Sequence, residues 1–178
     1  MVFDGISQKL TSVMASSFEE VQREDLPLVP LSRAAVEKLT SRRPHEVKLG
    51  EVVHVLLDDD DDDDDDLMSL RSAISVCAAT CGCRYALLGV PEDVGPRANC
   101  GRGGAAGGWS AFLPAFLNMQ DNDTLPGAAI VVLGHVRCAD IMEEANTMPP
   151  LTTDALRALV PRIDTRVEAV AKAAFEAG

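Results

Sequence analysis

Two short segments, residues 84–90 and 128–136, are almost entirely apolar. A strand that is apolar along its whole length, rather than at alternate positions, is typical of a parallel sheet with helices on both faces. Apolar residues with helical spacing occur in residues 67–80, 109–120 and 152–177, and parallel strands need such helices as crossovers. The sequence therefore predicts an α/β fold with a parallel sheet.

The first third of the chain is less regular. Residues 42–51 are predicted to form a loop, and residues 52–57 (VVHVLL) are predicted to form a further strand. Residues 1–30 carry only a weak pattern, so we expect a weakly ordered N-terminal segment. A chain of 178 residues has the length of one ordinary domain.

Nine consecutive aspartates occupy residues 58–66. Adjacent carboxylates repel one another and cannot pack, so this run is predicted to be a disordered, solvated loop. A calcium-binding loop would place a turn glycine between its oxygen ligands, and this run has none. The remaining 19 of the 28 acidic residues nearly balance the 16 basic residues, which are scattered along the chain. The charge pattern therefore predicts no nucleic-acid partner.

The chain has no apolar stretch of membrane-spanning length, and its first residues lack the pattern of a secretory signal. We therefore expect no membrane partner and a cytoplasmic protein with reduced cysteines. Three of its five cysteines, Cys77, Cys81 and Cys83, could supply thiolates to a zinc ion. However, Cys77 falls on the apolar side of its predicted helix, which favours a packed core residue.

Residues 89–110, GVPEDVGPRANCGRGGAAGGWS, follow the first apolar strand, at the end of the sheet where α/β proteins bind ligands. Five glycines in the second half let backbone amides approach an anion closely. Two nucleotide-binding motifs are incomplete, because Trp109 replaces the P-loop lysine and the G-x-G-x-x-A pattern begins too far beyond the strand. Arg97, Asn99 and Arg102 could bind a carboxylate and are the candidate substrate-binding residues.

No catalytic motif accompanies this segment. The spacings H-x-x-x-H, D-x-H-x-D, C-x-x-C and G-x-S-x-G are all absent from the chain. Of the three histidines, His54 is predicted to be a packed or edge residue of its strand, and His45 lies in a polar loop. His135 is at a strand end, a plausible site position, but its only near partners of ligand type are Cys138 and Asp140. The sequence therefore predicts no catalytic residue and no metal ligand.

Several stretches resemble, in the same order, formimidoylglutamase-like members of the arginase and agmatinase family, the ureohydrolases. They are RRPHEVKLGE, GVPEDVGPRANCGRGG, WSAFLPAFLNMQDND, IVVLGHV and LRALVPRIDTRVEAV. The similarity covers residues 30–178 apart from the aspartate run. It implies a three-layer αβα sandwich with a parallel sheet, and hydrolysis of N-formimino-L-glutamate to glutamate and formamide in histidine degradation.

Such enzymes use two manganese ions, held by later segments of the form G-G-x-H, D-A-H-x-D and D-x-D. This chain reaches Gly178 without any of them. The resemblance therefore implies that residues 31–178 are the N-terminal part of a ureohydrolase-like domain, truncated before the metal-binding strands and inactive alone. No cofactor is expected for the chain itself. The resemblance implies that Arg97, Asn99 and Arg102 are the residues left to contact a glutamate-type small molecule.

Two alternatives to this interpretation remain. The chain could be a non-catalytic interaction module, or pseudoenzyme subunit, that pairs its open sheet edge with a full-length relative in a homo- or hetero-oligomer. It could also be a small anion-binding domain that uses the glycine-rich residues 97–108.

Overall fold

The computed structural model describes residues 26–57, 69–147 and 152–177. The predicted aspartate loop, residues 58–66, and residues 1–25 of the predicted N-terminal segment lie outside these ranges. Within the described ranges, no helix is both long enough and apolar enough to cross a lipid bilayer.

Four strands form one sheet around its longest member. They are β1 (Leu28–Pro30), β2 (His54–Val55), β3 (Tyr85–Gly89) and β4 (Ile130–Val136). β4 pairs with the other three, parallel to β2 and β3 and antiparallel to β1. Because β3 pairs along most of β4, β1 and β2 must share the opposite edge of β4. The predicted α/β class is confirmed, but the sheet is mixed rather than wholly parallel.

The sheet is mixed because β1 pairs with β4 in the antiparallel direction. This strand lies in the segment predicted to be weakly ordered, yet Leu28 is completely buried and pairs with Val136. The Arg137 amide donates a hydrogen bond to the carbonyl of Pro27 at 2.7 Å and continues this pairing. Pro30 has no N–H to donate and is tolerated because β1 lies at the edge of the sheet. A strand of three residues is too short to show a sequence period.

Seven α-helices accompany the sheet in the described ranges. They are α1 (Arg33–Leu39), α2 (Leu49–Val52), α3 (Leu70–Cys81), α4 (Val94–Ala98), α5 (Gly108–Leu117), α6 (Ala139–Thr147) and α7 (Thr153–Ala177). The three predicted helical stretches correspond to α3, α5 and α7. The short helix α2 was predicted as loop and strand, and it shortens the predicted strand of residues 52–57 to β2. The Glu51 carboxylate accepts the Lys48 amide at 2.9 Å and fixes the start of α2.

Helix α3 has clear signals at both ends. The Ser69 hydroxyl accepts a hydrogen bond from the Ser72 amide at 3.2 Å and caps the N-terminus. Gly82 follows the last helical residue with a φ of 62°, the left-handed conformation that favours glycine. The chain therefore turns directly from α3 into β3, which brings Cys81 and Cys83 to the same place.

β4 is buried on both faces. Ile130 and Val132 belong to one apolar cluster with residues of α1, α2 and α5, whereas Val131 and Leu133 belong to another with residues of α3, α4, α6 and α7. Consecutive strand residues point to opposite faces, so helices cover both sides of the sheet at β4. This double burial explains why the strand contains no alternating polar residues.

Gly134 interrupts this regular strand. Its φ is +117°, and the register between β3 and β4 shifts at this point, so that Leu87 pairs with Val132 and Leu88 with Gly134. A Cβ atom on Gly134 would lie 2.1 Å from the carbonyl oxygen of Val29 in β1. A glycine is therefore required for both the irregular backbone and the close approach of β1.

We predict that Gly134→Ala lowers the free energy of unfolding by about 2–4 kcal/mol, because it adds backbone strain and a steric clash with β1. Gly107→Ala is a matched control, since Gly107 has a φ of −75° and an added Cβ would meet nothing within 4 Å. The control should stay within about 0.5 kcal/mol of the parent chain in urea denaturation. Equal effects of the two substitutions would contradict the role of Gly134.

Candidate functional site

The glycine-rich segment lies where the sequence predicts a ligand site, beyond the carboxyl end of β3. It is more ordered than the predicted long loop, because it contains α4 and a 3-10 turn at Ala105–Gly107. Trp109, at the start of α5, packs against Gly89, the last residue of β3. A Cβ atom on Gly89 would lie 2.3 Å from Trp109 Cδ2. The tryptophan therefore has a packing role at the position that P-loop proteins give to lysine.

Asp93 holds the two parts of this segment together. Its side chain is buried, and its carboxylate accepts hydrogen bonds from the Gly104 amide at 2.7 Å and from Arg97 Nη1 at 3.3 Å. A buried carboxylate is tolerated when a cation and a backbone amide satisfy it, as they do here. Asp93 was not among the predicted site residues, because the sequence does not show that Gly104 folds back onto it.

Arg97 connects the segment to helix α6. Besides Asp93, its guanidinium donates to Asn146 Oδ1 at 3.0 Å and to the Ala145 carbonyl at 3.2 Å. The side chain is only 18% exposed. Because its guanidinium already donates to three acceptors of the chain, Arg97 has a structural role in this conformation and does not extend towards a ligand.

The other two predicted substrate-binding residues have a different environment. Asn99 and Arg102 are exposed, and within the described ranges their side chains make no hydrogen bond or ion pair. Cys100 between them has a positive φ of 60°, so the chain bends sharply there. Arg97 contacts Asp93 and Asn146 rather than either of them, and a shared carboxylate site for the three residues stays a prediction.

A second group of reactive side chains lies at the opposite, amino end of β3. Cys81 is the last residue of α3, and Cys83 follows Gly82 on the way into β3. His54 lies on β2, where it pairs with Val131 of β4. A ring nitrogen of His54 and the Sγ atoms of Cys81 and Cys83 all lie within 4.8 Å of one another. In the described part of the chain, this is the one group of three histidine, cysteine or acidic side chains found with all of its donor atoms within this distance.

Cys77 extends this group by one more thiol. It lies one helical turn before Cys81, and the two Sγ atoms are 3.6 Å apart. Burial, and then the neighbouring Cys81 thiol, raises the pKa of Cys77 to about 12. Burial also raises the pKa of Cys83. All of these cysteines are free thiols, so they remain available to a metal ion or an oxidant.

The sequence indicates the three cysteines as possible zinc ligands, but it does not indicate His54. The spacing C-x-x-x-C-x-C is visible in the sequence, whereas the aspartate run separates His54 from it. The pairing of β2 with β4 and the packing of α3 on the same face bring the histidine to the thiols. A contact of this kind depends on tertiary structure and has no local signal.

Comparisons of the chain with models of known protein families, with curated proteins and with solved structures find no match. The ureohydrolase resemblance therefore rests on the sequence stretches themselves.

We predict that Arg97→Ala lowers the free energy of unfolding by about 1–3 kcal/mol, because it leaves the buried Asp93 carboxylate without its cation. Arg102→Ala removes the same charge from an exposed side chain of the same segment and should change stability by less than about 0.5 kcal/mol. Chemical denaturation of the two variants measures the difference. Similar stabilities would show that Arg97 does not hold the segment to α6.

Proposed function

We propose that residues 31–178 are the N-terminal part of a ureohydrolase-like three-layer αβα sandwich of the formimidoylglutamase type. One observation supports this proposal most. The parallel pair β3 and β4 is packed between helices, and the glycine-rich segment, which carries a long part of the resemblance, continues from the carboxyl end of β3. Ligands of open α/β sheets bind at that end.

We assign no catalytic residue to the chain. The family's reaction, attack of a metal-activated hydroxide on a formimino carbon, needs carboxylate and histidine ligands in motifs that this sequence does not contain. On this proposal, the manganese ligands belong to parts of the ureohydrolase domain outside these 178 residues. Asn99 and Arg102, whose side chains are exposed, would contact the glutamate part of the substrate, and Arg97 would hold their segment in place. We place this function in the cytoplasm, where free cysteines stay reduced.

A specific observation favours the non-catalytic alternative, an interaction module. Among the described residues, no strand pairs with the outer edge of β3, and both Tyr85 and Ala86 are exposed. A cavity of about 570 Å³ adjoins this edge between β3, α3 and the end of α7. It is lined mainly by apolar side chains, and one of them, Phe175, is 85% exposed.

The occupant that we propose for this edge is a parallel strand of a full-length ureohydrolase-like protein. Leu87 and Leu88 of β3 pack towards opposite faces of the sheet, as in an interior strand of a parallel sheet. An open edge of this kind can pair with a strand of another chain through its free backbone groups. The adjoining apolar cavity would receive side chains of the helix that follows such a strand.

We predict that the purified chain releases no formamide from N-formimino-L-glutamate when manganese is added. The expected rate equals that of a metal-free blank, because the chain lacks the ligands that would place a metal-bound hydroxide at the formimino carbon. A full-length formimidoylglutamase under the same conditions is the positive control. Manganese-dependent turnover by the chain would contradict the proposal.

We predict that co-expression with a full-length formimidoylglutamase gives a mixed oligomer in size-exclusion chromatography. Ala86→Lys should weaken this complex, since a lysine at an exposed strand edge opposes pairing with another strand. Ala111→Lys is the matched control, because Ala111 is an exposed alanine on α5. Separate elution of the two parent proteins, or equal effects of the two lysines, would refute pairing at β3.

A further inference from the structure

We propose that His54, Cys77, Cys81 and Cys83 bind a zinc ion that joins β2 to the end of α3 and the start of β3. This site is separate from the glycine-rich segment, but two of its ligands, Cys77 and Cys83, also line the cavity beside the open edge of β3. It would be a structural site, because four protein ligands leave no coordination position for a substrate.

The distances among three of the four donors are close to those of a tetrahedral zinc site, and Cys77, which lies outside that mutual group, adjoins one of them. Zinc–sulfur bonds of about 2.3 Å and zinc–nitrogen bonds of about 2.0 Å place neighbouring ligand atoms roughly 3.5–3.8 Å apart. The sulfurs of Cys77 and Cys81 are already 3.6 Å apart. The donor atoms of His54, Cys81 and Cys83 lie within 4.8 Å of one another and need to approach by at most about 1 Å. We expect side-chain rotations on zinc binding to supply this approach.

The type of ligand selects the metal. Thiolates and an imidazole bind Zn²⁺ and similar soft or borderline ions, whereas Mg²⁺ and Ca²⁺ require oxygen ligands. Carboxylates of the aspartate run at residues 58–66 could attract hard cations, so a test must distinguish thiolate from carboxylate binding.

The protonation of the thiols in the metal-free chain predicts how metal affinity depends on pH. Zinc binds the thiolate form of cysteine, so each thiol that becomes a ligand must lose its proton. Metal binding should therefore release protons and become tighter as the pH rises. Cysteines that only fill the core would bind no metal, so adding the metal would release no protons.

The test is a titration of the reduced full chain with Co²⁺, which occupies zinc sites and reports its ligands by absorption. We expect a sulfur-to-cobalt charge-transfer band and tetrahedral ligand-field bands that saturate at one Co²⁺ per chain. One equivalent of Zn²⁺ should abolish them, and an excess of Ca²⁺ or Mg²⁺ should not. Co²⁺ bound to aspartates gives no sulfur charge-transfer band, so absence of this band in the reduced protein would overturn the proposal.

Ligand variants identify the residues. Cys81→Ser, Cys83→Ser and His54→Gln should each lower the affinity for Zn²⁺ by more than about 100-fold, since even outer residues of such sites contribute 10–100-fold. Cys100→Ser is the matched control, because Cys100 is an exposed cysteine outside the cluster, and it should bind like the parent. Far-UV circular dichroism establishes that each variant is folded.

Two further results would contradict the assignment. An unchanged charge-transfer band in both Cys81→Ser and Cys83→Ser would exclude the cluster as the site. An unchanged affinity in Cys77→Ser would exclude Cys77 as the fourth ligand. If Cys77→Ser does not fold, the melting temperature provides a second measurement, because Zn²⁺ should raise it for the parent and for Cys100→Ser but not for Cys81→Ser. None of these measurements depends on ureohydrolase activity.

Discussion

Burial of β4 on both faces is the constraint on which the other elements depend. Val132 and Leu133 point to opposite sides of the sheet, and both are almost completely buried. Burying a side chain of this size contributes about 1.5–3 kcal/mol, so the five buried apolar side chains of β4 strongly favour one register. Helices must then cover each face, and the crossover helices required by parallel pairing provide that cover.

This arrangement gives the two ends of the β3–β4 pair different chemistry. At the carboxyl end, Asp93 and Arg97 organise the glycine-rich segment, while Asn99 and Arg102 remain exposed to solvent. At the amino end, the short turn at Gly82 places Cys81 and Cys83 beside a histidine of another strand. The proposed ureohydrolase function concerns the first end, and the proposed zinc site concerns the second. The two proposals can therefore fail independently.

The sequence predicted those features that have a local physical signal. The apolar runs predicted β3 and β4, and helical spacing predicted α3, α5 and α7. Features that depend on contacts between distant residues were missed. The pairing of Leu28 with Val136, the contact of Gly104 with Asp93 and the approach of His54 to the thiols all belong to this class. No period or motif marks such contacts in a single sequence.

Amide hydrogen exchange of the isolated chain, resolved by residue, tests this account most directly. Amides of β4 are paired along both edges of that strand, so they should exchange only through global unfolding and be among the slowest in the chain. Amides of β3 that point away from β4 should exchange far faster, because no described strand pairs with them. Equal protection of these β3 amides and the β4 amides would contradict an open edge. Fast exchange throughout β4 would contradict the doubly buried strand itself.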